Sequence, residues 1–61
     1  MADDVCFERA GVPWWINPDV YIDPSKVESF HREGENTVIC LDNGSNVLVS
    51  AHISEVAERL A

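Results

Sequence analysis

The chain has 61 residues, 46% apolar and 25% charged, the composition of one small folded domain and not of a disordered, collagen-like or membrane-spanning segment. Eleven acidic residues against four basic ones give a formal charge of −7, a sign that repels phosphate backbones and anionic bilayers, so neither direct nucleic-acid binding nor membrane association is expected. A core this small hides only about 60% of the surface of the unfolded chain, and such folds are ordinarily reinforced by a disulfide, a metal or self-association.

The first residues, Met1-Ala2-Asp3-Asp4-Val5-Cys6, place acids where a secretory signal carries bases, and no apolar run of ~7–15 residues follows. The expected location is cytoplasmic, where Cys6 and Cys40 remain thiols. Residues 1–24 hold all three prolines and both tryptophans and have little periodicity, so they read as an irregular, extended segment. Two adjacent tryptophans in an extended stretch point to opposite sides. On that reading Phe7, Val12 and Trp14 lie against the sheet while Trp15 stays outside; the plainer alternative makes both tryptophans core filler.

From Asp23-Pro24-Ser25 onward the pattern is regular. Val27, Ser29 and His31 alternate with Glu28 and Phe30, which predicts a strand over 27–32, reversed at Gly34-Glu35-Asn36. The β-branched run at 37–42 predicts a central strand. Asn43-Gly44 predicts a two-residue type I′ hairpin turn, since both residues tolerate positive φ, pairing 37–42 with a returning strand over 45–50. Ser50 is the expected cap of a helix over 51–60, whose inward stripe is Ile53, Val56, Ala57 and Leu60. The expected fold is α+β, a three-stranded antiparallel meander with one C-terminal helix across it.

Both faces of the central hairpin carry apolar residues: Ile39 and Leu41 on one, Val38 and Cys40 on the other, with Val47, Leu48 and Val49 continuing both. A short helix covers one face only, so the other calls for the Trp14-Trp15-Ile16 segment folded back, or for a second copy of the chain. A homodimer or higher homo-oligomer is therefore expected.

The order of Ile22-Asp23-Pro24, Val27 to Phe30, Asn36 to Leu41, Asn43-Gly44, Val47-Leu48-Val49 and Ser54-Glu55-Val56 resembles the small flagellar FlbD-like family over residues 20–60. The resemblance implies this same sheet-and-helix fold and a flagellar or motility accessory role. The family lacks a Trp-bearing leader such as residues 1–19, and has basic residues where this chain has Ser45 and Asn46.

Cys6, His31, Cys40 and His52 are separated by 25, 9 and 12 positions, whereas compact zinc sites pair ligands a few residues apart, so no metal site is expected. Asp19, Asp23 and Glu28 lack the order of a calcium loop. A Cys40–His31 or Cys40–His52 pair is the one nucleophile–base candidate, and a domain of this size has little volume for a cleft around it. No enzyme activity and no cofactor are expected. The remaining reading is a non-enzymatic protein–protein interaction module, a small acidic regulator or inhibitor of the kind phages encode against host machinery, which binds and blocks another protein of basic character. Trp14, Trp15, Tyr21, Phe30 and Arg32 are its expected partner-binding residues. An acidic mimic of nucleic acid is a further alternative.

Overall fold

The computed structural model describes residues 4–61. Val5 and Phe7 alternate with Cys6 and Glu8, and Val20 and Ile22 with Asp19 and Tyr21; each set forms a short strand, β1 (Val5–Glu8) and β2 (Asp19–Ile22). They pair antiparallel, with Val5 opposite Ile22 and Phe7 opposite Val20, so four apolar side chains share one face. The segment expected to be irregular thus contains a hairpin of its own.

A single 3₁₀ turn over Pro24–Lys26 leads into the meander β3 (Val27–Glu33), β4 (Asn36–Leu41) and β5 (Asn46–Val49), followed by α1 (Ile53–Leu60). The turn is fixed by Asp23, whose carboxylate accepts from the Ser25 hydroxyl at 2.8 Å and its amide at 3.0 Å. Those bonds hold the carboxyl below its ordinary pKa. The α+β meander and C-terminal helix agree with the sequence reading; the second sheet is the addition.

Three details differ from expectation, each for a stated cause. At Asn43-Gly44 the amide of Gly44 donates to the Leu41 carbonyl at 3.1 Å and the Leu41 amide to that of Ser45 at 2.8 Å. Gly44 has φ +88° and among the described residues none other than glycine has positive φ, which excludes a type I′ turn. The connection is a type I turn closed by a left-handed glycine, with the Asn43 side chain accepting from the Ser45 amide at 2.9 Å. The tight two-residue turn is instead Gly34-Glu35, between the paired Glu33 and Asn36, with Gly34 at φ +62°. A β-bulge between Val27 and Ser29 then shifts the alternation, so that Val27 and Phe30, three apart, both pack on the core.

Gly44→Ala isolates the turn. A Cβ there meets no atom within 4 Å, so the cost is conformational alone, about 1–2 kcal/mol in urea denaturation. Asn43→Ala removes one exposed side-chain bond and costs a few tenths; equal costs would place Asn43 in the left-handed position after all.

The core comprises Phe7, Ile22, Ile39, Val49 and Val56, with Val5, Val20, Val27, Phe30, Leu41, Val47, Ala51 and Leu60 packed around it. The β1–β2 hairpin and α1 therefore lie on the same face of the meander. Thr37, fully buried among them, donates its hydroxyl to the Ala51 carbonyl at 2.9 Å and anchors the run into α1. Of the expected helical stripe Val56 is buried and Ala57 is exposed.

Ser50 does not cap α1. The helix starts later, with His52 as cap, its Nδ1 accepting from the Ser54 amide at 3.3 Å. Ser50 faces the N-terminal hairpin: its amide and hydroxyl both donate to the Glu8 carbonyl, at 2.8 and 3.2 Å. The Ala10 amide donates to the Leu48 carbonyl at 3.0 Å, and Arg9 and Val49 form an antiparallel bridge. This single bridge, just past the end of β1, ties the two-stranded sheet β1-β2 to the end of β5 in the three-stranded sheet β3-β4-β5.

Val38, Cys40 and Leu48 stand on the opposite face of the meander, half-buried and outside the core cluster. The tryptophan segment does not fold back over them: Trp14 is 91%, Trp15 68% and Ile16 42% exposed.

Candidate partner-docking site

The loop 9–18 between β1 and β2 carries the largest exposed apolar side chains, and its base is tied down. The Arg9 amide donates to the Pro18 carbonyl at 2.8 Å, extending the ladder one step past the Glu8–Asp19 pair. The Arg9 guanidinium donates to the Asn17 carbonyl at 3.0 Å, and the Asn17 side chain accepts from the Asp19 amide at 3.0 Å. At the tip, the Ile16 amide donates to the Pro13 carbonyl at 3.0 Å, closing a four-residue turn with the two tryptophans at its corners.

This turn changes what the tryptophans can do. On an extended segment they would point apart; here they meet edge to face, with ring centroids 5.8 Å apart and planes at 90°. Both lie outside the fold, so Trp14 is not ordered against the sheet and neither is core filler. Of the three residues expected to cover the sheet from this segment, Phe7 alone enters the core, and Val12 is half-buried.

Beside the tip lies an open cleft of about 450 Å³, lined among others by Arg9, Val12, Pro13, Trp14, Ile16 and Pro18. Within it the Arg9 Nε is buried and lacks a hydrogen-bond partner, although the far end of the same guanidinium is satisfied by Asn17. The lining mixes apolar side chains with the polar Glu8, Arg9 and Ser50. Arg9 and Ile16 are additions to the expected site residues; Ile16 follows the tryptophans directly, whereas nothing in the sequence distinguishes Arg9 from the other bases.

The other expected partner-binding residues fall elsewhere. Tyr21 is 66% exposed on the outward face of the β1–β2 hairpin, opposite Cys6. Phe30 is half-buried and packs on the core, so its side chain serves the fold. Arg32 is exposed on β3, opposite Thr37, in the sheet that does not contain β2. The structure therefore joins Trp14, Trp15 and Ile16 into one tip and leaves Phe30 and Arg32 on a separate strand.

Cys6 and Cys40 are free thiols. His31 is exposed on β3 and His52 caps α1. Among the described residues no three His, Cys, Asp or Glu side chains come together as a metal site. No described helix is long and apolar enough to cross a membrane. No protein-family model, curated protein or solved structure matches the chain.

Proposed function

We propose that the chain is a non-enzymatic, self-associating docking module that engages another protein through the Trp14-Trp15-Ile16 tip and blocks the surface it covers. The observation that carries this reading is the placement of both tryptophans of the chain at one braced turn, 91% and 68% exposed. Burying an aromatic of this kind is worth about 1.5–3 kcal/mol, a gain the fold itself leaves unused. Tryptophan is enriched among the residues that dominate binding energy, and a rigid turn limits the entropy lost on docking. The neighbouring cleft offers Val12, Pro13, Ile16 and Pro18 as apolar contact surface to a side chain of the partner. The charge of −7 favours a partner with a basic rim, which it would steer on approach.

Because the chain has two tryptophans and both are at the tip, its intrinsic emission reports on that site alone. Free protein should emit as solvent-exposed indole and be quenched readily by iodide. Binding of a partner captured from the source cell should shift the emission to shorter wavelength and protect it from quenching. A partner that binds while leaving emission and quenching unchanged uses another surface, and the tip loses its assigned role.

A further inference from the structure

Asn43-Gly44 does more than reverse the chain between β4 and β5. Both residues are exposed to water. An asparagine side chain carries an electrophilic carbon, Cγ, within reach of the backbone nitrogen of the residue that follows it. Glycine in that following position has no Cβ to hinder the approach and leaves the backbone free to turn toward it. The sequence contains this dipeptide once.

We infer that Asn43 is the deamidation site of this chain, and that the folded turn holds it closed until the end of the β4–β5 hairpin opens. In the opened turn hydroxide takes the Gly44 amide proton and the nitrogen attacks Asn43 Cγ. The new N–Cγ bond forms as the side-chain nitrogen leaves as ammonia, giving a cyclic imide. Water then adds to one of the two imide carbonyls and opens the ring to aspartate or isoaspartate. The balance is one water consumed and one ammonia released, with no oxidation or reduction.

The closed turn opposes the first step twice. The Gly44 N–H is already donated to the Leu41 carbonyl at 3.1 Å, which retains the proton that has to leave. The Asn43 side-chain oxygen accepts from the Ser45 amide at 2.9 Å, which fixes the carboxamide instead of letting it swing onto the nitrogen. A third bond, from the Leu41 amide to the Ser45 carbonyl at 2.8 Å, seals the loop. Fraying of a hairpin end releases all three at a cost below that of global unfolding.

The other asparagines are worse placed. Asn17 precedes Pro18, which has no N–H to give up. Asn36 and Asn46 precede Thr37 and Val47, whose branched Cβ atoms crowd the attack and whose backbones lie in β4 and β5. The two products at position 43 also differ. Aspartate still offers an oxygen to the Ser45 amide and adds one negative charge beside Asp42. Isoaspartate routes the main chain through Cβ and Cγ, so the turn gains a methylene and Leu41 no longer meets Ser45.

The test is to incubate the full chain at mildly alkaline pH, folded and in guanidinium chloride at matched pH, and to follow each asparagine by peptide mass mapping with isoaspartyl labelling. Conversion should be confined to the peptide containing Asn43, and should be slower in the folded chain on the order of tenfold or more. Gly44→Ala should lose most of the conversion even when unfolded, because its Cβ hinders the attack. The isoaspartyl fraction, separated by ion exchange, should melt below the unmodified chain and the aspartyl fraction close to it. Conversion spread evenly over the four asparagines, or none at Asn43, overturns the site. Equal rates at Asn43 in folded and unfolded chains overturn the closed turn, and an isoaspartyl chain melting with the unmodified one overturns the disruption of the hairpin.

Discussion

Phe7→Ala is expected to unfold the chain at ordinary temperature. Phe7 is 2% exposed and is the one fully buried side chain of β1, so it is the main apolar link from the N-terminal hairpin to the shared core. The Arg59 guanidinium of α1 lies 4.7 Å from its ring centroid, while also approaching Glu55 at 3.8 Å, so the ring sits between hairpin and helix. Removing a buried phenyl group costs about 3–5 kcal/mol, and a chain of 61 residues has a total stability of about 3–9 kcal/mol. The loss is therefore comparable to the whole. Thermal melting followed by circular dichroism should show the cooperative transition gone or displaced below room temperature, whereas Phe7→Leu, which keeps most of the volume, should still melt. A Phe7→Ala variant melting within a few degrees of wild type would mean that the hairpin is not part of the core.

The contrast between the two halves of the chain explains which elements are legible without the structure. The meander and helix are legible because their signals are redundant: a β-branched run at 37–42, a turn dipeptide and an apolar repeat at Ile53, Val56 and Leu60. In β1 and β2 each strand contributes two inward side chains, and the two are separated by a proline-containing loop that no turn rule connects. Pairing there is decided by Phe7 and Ile22 meeting Ile39 and Val49, which is tertiary information. Local details escape for a related reason. A type I′ turn and a type I turn with a left-handed glycine both want Asn-Gly, and the pairing of Leu41 with Ser45, not the dipeptide, selects between them. The bulge that turns Phe30 inward has no sequence mark at Glu28, so a strict period of two puts the wrong set of residues together.

For the candidate site the residue types are legible and their geometry is not. Adjacent tryptophans attract notice in any sequence, but reading 13–16 as extended sets Trp14 inward and Trp15 outward. The Pro13–Ile16 hydrogen bond reverses the chain at that point and puts both rings on one tip. Phe30 and Arg32 group with the tryptophans on the sequence because nothing in a linear chain separates an aromatic that packs on the core from one that faces water. In the structure both belong to β3, where Phe30 packs on the core and Arg32 is exposed.

Trp14→Ala with Trp15→Ala is the counterpart of the Phe7 change and should have the opposite signature. Side chains that are 91% and 68% exposed contribute little to the native core, so the doubly substituted chain should keep its stability to within about 0.5 kcal/mol. Capture of a partner protein should nevertheless weaken by about 2 kcal/mol or more, roughly thirtyfold, the size of loss found at interface anchors. The single changes carry further information. Trp15 meets Trp14 edge to face at 5.8 Å and so fixes the more exposed ring as well as offering its own surface. Its removal should cost binding through both effects, and the two single losses should sum to more than the double loss. Titration calorimetry with the captured partner measures all three. Unchanged affinity in the double variant removes the tip from the interface, and a stability loss above about 2 kcal/mol would reassign the tryptophans to the fold.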